Sequence, residues 1–248
     1  MDALQADQLK RKTRRHAGFT LTELAIVLLI VALLIGGLLV PFTAQMDLRA
    51  YGETQKAMAE IQEALYGYAA SHQAADGRPY LPCADKVVAI GAGTPNDGQE
   101  DRAGAGCEAF EGNVPWVTLG IAPTDAWLNR FRYRVVPAFS NTTTGFTLGT
   151  AATLRVCEQA ACTSYLANNL PVVILSHGRN GAGAINSGTG VANAAPTGRP
   201  DELANTDGND DFVSHEQREG AATEFDDVVV WLPANLLFSR MIAAGRLP

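Results

Sequence analysis

Side-chain oxygens recur at alternate positions in Asp207-Gly208-Asn209-Asp210-Asp211, a spacing that lets Asp207, Asn209 and Asp211 wrap one hard cation, with Asp226 able to complete the shell. The glutamate that closes an EF-hand loop is missing, so the competing reading is a solvated Asx-rich turn. Asn96-Asp97-Gly98-Gln99-Glu100-Asp101 is a second acidic turn of the same kind. Four cysteines, Cys83, Cys107, Cys157 and Cys162, form an even set. In an exported chain they suggest two disulfides, with three connectivities open and nearest-in-sequence pairing, Cys83 with Cys107 and Cys157 with Cys162, favoured. The competing reading is a zinc site with His177 or His215, although the spacing supplies no double C-x-x-C. Ser176 and His177 juxtapose a nucleophile and a base, but adjacent strand residues face opposite ways. The chain has no G-x-S-x-G elbow, P-loop or dinucleotide fingerprint, so no enzymatic activity is expected. Trp116, Trp127 and Trp231 read as packing residues, and His215 as a solvent-exposed loop residue.

One further carboxylate stands out because of where it sits. Glu23 opens an apolar run at 24–42, LAIVLLIVALLIGGLLVPF, which at 1.5 Å per helical residue is about long enough to cross a hydrocarbon core. Ionisable groups are costly there and usually have a specific partner. Lys10, Arg11, Lys12, Arg14 and Arg15 precede the run, so the positive-inside bias keeps the head of the chain cytoplasmic and sends everything after residue 42 across the membrane. No A-x-A-like cleavage site follows, which leaves a plain signal anchor as the bland alternative. The formal net charge of −7 is therefore concentrated in the body, and with no basic stripe beyond residue 16, direct nucleic-acid binding is not expected.

Gly18-Phe19-Thr20-Leu21-Thr22-Glu23-Leu24, behind a short basic leader, resembles the G-F-T-L-x-E signal of type IV pilins and type II secretion pseudopilins. The resemblance implies cleavage between Gly18 and Phe19 by prepilin peptidase and N-methylation of Phe19. It also implies that Glu23, fifth in the mature chain, neutralises the terminal amine of a neighbouring subunit, an attraction strengthened by low dielectric. Three further segments resemble the major pseudopilin. Asp125-Ala126-Trp127-Leu128-Asn129-Arg130-Phe131-Arg132-Tyr133 is similar to D-P-W-G-N-P-Y-x-Y without its Pro and Gly. Ser176-His177-Gly178-Arg179-Asn180-Gly181 is similar to S-x-G-x-D-G, with Asn for Asp. Asp226-Asp227-Val228-Val229-Val230-Trp231 is similar to D-D-I-x-x-W. That family holds calcium in the loop before its last strand, which here implies Asp207, Asn209, Asp211 and Asp226. An insertion at 181–225 and a closing helix depart from the pattern and point to a minor subunit.

The elements that must position these residues follow from periodicity. Ala50, Thr54, Ala57, Ile61, Leu65 and Tyr68 recur three or four residues apart among good helix formers, predicting that the helix continues to about residue 72 and packs on a globular domain. Strands are predicted at 131–136, 146–148, 153–157, 172–175 and 228–232, and a closing helix at 234–244 presenting Leu237, Met241 and Phe238. The expected architecture is α+β, pilin-like, with a long N-terminal helix packed on a mostly antiparallel sheet. Its parts are a cleaved leader (1–18), a transmembrane helix (19–42), the periplasmic half of that helix (43–74) and a periplasmic head (75–248). The implied setting is the bacterial inner membrane, single-pass. The implied partners are prepilin peptidase, other pilins or pseudopilins and an inner-membrane assembly platform, in a type II secretion pseudopilus or a type IV pilus. The rival class is a pilus-tip adhesin or substrate-binding subunit using 181–225.

Overall fold

The computed structural model describes residues 20–220 and 223–248, with the side chains of 37–44 left out. The leader, Gly18 and Phe19 lie outside the described residues. The chain divides into two units, the first ending at Asp47 and the second running Leu48–Pro248.

One helix, α1 (Leu21–Ser71), supplies all the described structure of the first unit and the opening of the second. It stays helical through Pro41, Gly52 and Gly67. In the first unit its apolar side chains, among them Leu24, Leu28 and Leu29, are exposed. Among the described residues no helix is long and apolar enough to cross a membrane. The expected span at 19–42 begins at Phe19 and ends among the side chains outside the description.

In the second unit the same helix is amphipathic. Thr54, Met58, Ile61, Leu65, Tyr68 and Ala69 are buried, which keeps the lower part of the predicted stripe. Met58 replaces Ala57 as the buried residue of its turn, while Ala50 and Ala57 are only partly buried. This face packs on a four-stranded antiparallel sheet of β3 (Glu111–Asn113), β4 (Arg132–Val135), β7 (Val172–Ser176) and β9 (Val228–Leu232), in that spatial order. A small hairpin, β1 (Arg102–Ala103) with β2 (Gly106–Cys107), precedes it. A second sheet has the order β6–β5–β8, with β5 (Leu154–Cys157) antiparallel to β6 (Tyr165–Leu170) and parallel to β8 (Asp211–Val213). Two short helices, α2 (Trp116–Leu119) and α3 (Pro200–Ala204), sit in the connections. The closing helix α4 (Ala234–Ala243) buries Leu237 and Met241, as predicted.

The fold is therefore α+β with antiparallel pairing dominant. The expected strand at 146–148 does not form. Phe146 instead donates its N–H to the Pro79 carbonyl (2.9 Å) and buries its ring against Phe139, 5.1 Å between centroids, with Phe238 closing the cluster. Burial of each such ring is worth about 1.5–3 kcal/mol. Cys83–Cys107 and Cys157–Cys162 are both bonded, the pairing favoured from sequence, and no free thiol remains among the described residues to serve the rival zinc site.

Candidate functional site

Two places concentrate the chemistry singled out above. The first is the start of α1. Thr20 occupies the N-cap: the Glu23 N–H donates to Thr20 Oγ1 (3.2 Å), and the Thr20 N–H donates back to Glu23 Oε2 (2.9 Å). The Thr20 hydroxyl also donates to Glu23 Oε2 (2.8 Å). This reciprocal pair is a capping box, satisfying two backbone donors that a helix start leaves open. Thr-x-x-Glu spacing could have announced it in the sequence. Glu23 thus has a local partner in addition to any neighbouring subunit.

The second place is a polar hub where the three separated segments at 125–133, 176–181 and 226–231 meet. Asp125 Oδ1 accepts the N–H groups of Trp127 and Asn129 (both 2.9 Å), shaping the turn, while its Oδ2 accepts the Ser176 hydroxyl (2.7 Å). Burial pushes the Asp125 carboxyl up against these hydrogen bonds, which favour its ionised form. Leu128 takes φ +67° in that turn, the left-handed region, where the resembled motif has Gly. Asn129 Nδ2 reaches the Gly178 carbonyl (3.3 Å). Gly178 has φ +58°, and a Cβ there would run into the Asp226 carbonyl, so this position demands glycine. Ser176 is thus tied to Asp125 rather than paired with His177, whose ring is buried with neither nitrogen hydrogen-bonded and Nδ1 3.7 Å from Asp227 Oδ1.

Three carboxylates close on one point at this hub. Glu202, Asp226 and Asp227 each bring an oxygen within 4.8 Å of the others. Each accepts a hydrogen bond from a neighbouring asparagine. Asn180 Nδ2 and the Asp226 N–H donate to Glu202 Oε1 (2.9 and 3.3 Å), the Asn180 N–H to Asp226 Oδ2 (2.8 Å), and Asn205 Nδ2 to Asp227 Oδ2 (2.7 Å). Asn180, standing where the resembled motif has Asp, supplies a donor that a carboxylate could not. Glu202 Oε2 and Asp226 Oδ1 are buried without hydrogen-bond partners, although Arg199 Nη1 lies 3.0 Å from Glu202 Oε2. Desolvation, reinforced by Asp227 and Glu202, pushes the Asp226 carboxyl up to about 7.

The expected ligand set is divided differently. Asp207 accepts from the N–H (3.0 Å) and Nδ2 (2.6 Å) of Asn209, Asn209 Oδ1 accepts the Asp211 N–H (2.6 Å), and both Asp211 oxygens face Arg155 (2.6 Å each). That turn satisfies itself, and the residues that converge with Asp226 are Glu202 and Asp227. Sequence spacing missed Glu202 because it sits on α3, inside the insertion. The second acidic turn is likewise spent on structure. Glu100 Oε2 accepts the Cys83 N–H (3.0 Å) and Asp101 Oδ2 the Lys86 N–H (2.9 Å). His215 is not a free loop residue either, since its ring packs 3.9 Å from Phe225 and Nε2 lies 3.2 Å from Asp201.

Residues 13–39 match the prokaryotic N-terminal methylation motif. This is the type IV pilin and pseudopilin signal, and it spans Gly18, Phe19 and the capped Glu23. No curated protein and no solved structure matches the chain. The methylation motif implies processing by prepilin peptidase and assembly with other pilins.

Proposed function

We propose that this chain is a minor pseudopilin or minor pilin. It is cut between Gly18 and Phe19, methylated on the Phe19 amine, held in the bacterial inner membrane by 19–42 with its head in the periplasm, and packed through α1 into a pseudopilus or pilus. The observation that carries this reading is the methylation motif at 13–39, which covers the start of a helix whose described apolar side chains, among them Leu24, Leu28, Leu29 and Ile35, are exposed. Apolar surface of that extent finds cover in lipid or in the helices of other subunits. The assembly platform of the inner membrane is the expected partner.

Glu23 would serve twice, as the cap of its own helix and as the counter-charge for a neighbour's terminal amine. Two substitutions separate these roles. Glu23→Gln retains the capping-box chemistry but removes the charge, whereas Glu23→Ala removes both. Loss of filament incorporation in both variants is expected; normal incorporation of Glu23→Gln would contradict the charge role.

The calcium that the major-pseudopilin resemblance implies fits the hub better than the 207–211 turn. Glu202, Asp226 and Asp227 bring three carboxylates together against one arginine, Arg199 beside Glu202, whereas both oxygens of Asp211 are engaged by Arg155. These three carboxylates would hold the ion, which would offset their mutual repulsion and fasten α3 to the entry of β9. Added Ca²⁺ should raise the melting temperature of the full chain in detergent, and Asp226→Asn should abolish that rise.

A further inference from the structure

A second feature of the head belongs to neither the helix start nor the hub's carboxylates. Arg130, Arg132 and Arg134 alternate along β4 and the residue pair before it, so they share one face of the sheet. They line a cavity of about 260 Å³. The insertion lines it with Gly183, Ala184, Ile185 and Ala192, and is docked there by the Arg130 N–H on the Ile185 carbonyl (2.9 Å) and by a bridge between Asn129 and Asn186. The insertion thus turns an open sheet face into a pocket.

Among the described residues that line the pocket, three arginines stand against one carboxylate. Glu111 is the one carboxylate among its lining residues, and two of the arginines already share it: Arg132 Nε at 2.7 Å and Arg134 Nη1 at 3.0 Å. Arg134 is spent further on the Gly208 carbonyl (3.2 Å) and Asp210 (2.6 Å). Arg130 has no carboxylate within ion-pair distance among the described residues. Its guanidinium carbon lies 3.8 Å from the Trp116 ring centroid, a cation–π contact, and among the described residues its nitrogens make no hydrogen bond. Desolvation disfavours its charge and the field of Asp85 partly restores it, so the group is held in a site that rewards an anion. His177, with neither ring nitrogen hydrogen-bonded, also forms part of this wall.

We propose that this pocket binds a small carboxylate, with Arg130 as its principal contact and Arg132, whose terminal nitrogens are not bonded to Glu111, as the second. A planar guanidinium presents paired donors that match a carboxylate edge to edge. A single negative charge fits because Glu111 and Asp210 already answer Arg134 and part of Arg132, while Asp85 acts on Arg130 only from beyond ion-pair distance. The volume lies below the roughly 300–1,000 Å³ of drug-sized sites, which limits the ligand to about one sugar acid or one terminal residue of a peptide. The inference is independent of the filament reading, since a ligand pocket in the head requires no particular machinery around it.

Isothermal titration of the full chain in detergent with D-glucuronate and with N-acetylglycine tests it, the first standing for a glycan carboxylate and the second for a peptide terminus. Saturable one-to-one binding of either is expected, weakening with added salt, and the tighter of the two names the source. Arg130→Gln should weaken it at least about tenfold. Ala192→Glu, a change at an exposed position of the insertion wall, should block it by setting a tethered carboxylate beside the arginines, even if Arg130→Gln proves unstable. Absence of saturation with both probes, equal affinity for D-glucose, or tighter binding of inorganic phosphate would overturn the proposal.

Discussion

The two ends of α1 are written in the same secondary structure and opposite burial codes. Leu28 and Leu29 are 60% and 61% exposed, whereas Ile61 and Leu65, on the same helix, are 1% and 0% exposed. The lower half finds its cover inside its own chain, on the sheet of the head. The described apolar side chains of the upper half are exposed, and the methylation motif lies over that half. The difference puts the head's stability on the lower set of residues and, in the proposed function, assembly on the upper set, which makes the two separable by mutation.

The widest separation is expected between Leu65→Ala and Leu28→Ala. Removing Leu65 leaves a cavity in a closed core and should cost the head about 2–5 kcal/mol in denaturant unfolding. Leu28→Ala should leave that transition where it is. Equal effects would mean that the two halves form one cooperative structure.

The head's cross-links give the next effect. Cys83–Cys107 encloses a longer loop than Cys157–Cys162, with sequence separations of 24 and 5, so its removal should release more denatured-state entropy, within a range of about 2–5 kcal/mol. Replacing the shorter link should cost less, and the reverse order would contradict the loop argument. A smaller change of opposite sign is expected at Leu128, 64% exposed and held at φ +67°. Leu128→Gly relieves a backbone cost of roughly 1–2 kcal/mol, offset in part by the greater freedom of glycine in the unfolded chain, for a net gain of under about 1 kcal/mol. The subtlest effect is one of pH. Burial pushes the Asp85 carboxyl up to about 6, and one of its oxygens has no partner. Because the folded state holds that proton more tightly than the unfolded state, the head loses stability relative to Asp85→Asn as pH rises from about 4 to about 6. A constant difference across that range would show that Asp85 titrates normally.

Much of the frame was legible in the sequence. The runs that became β7 and β9 are continuously apolar and β-branched, β4 and β5 set arginine between buried apolar residues, and α4 carries an amphipathic period, so local pattern and tertiary environment agree. Strands β1, β2, β3 and β8 are two or three residues long, too short to carry a period, and β6 is mostly exposed, YLANNL, with Asn169 at φ +52° just before its last residue. Phe146 misled because its own ring fills the core while Leu148 beside it is exposed and the segment pairs with no strand. The functional residues divided along the same line. Glu23 was conspicuous because a carboxylate beside an apolar run is visible in one dimension, although its bond to Thr20 went unread. Asp226 was expected as a ligand, but its companions Glu202 and Asp227 are chosen by the way the insertion folds back onto β9. The arginine row at 130, 132 and 134 was visible as an alternation, but its pocket needed the opposite wall. Spacing identifies donors; the topology decides which of them meet.

The central claim is that the chain is processed and assembled through its N-terminus. Its most direct test is the intact mass and N-terminal sequence of the protein purified from membranes of a host with its prepilin peptidase. The account predicts a mature chain that begins at Phe19 with one methyl group on its amine. A retained leader, or a terminus generated elsewhere, would contradict it.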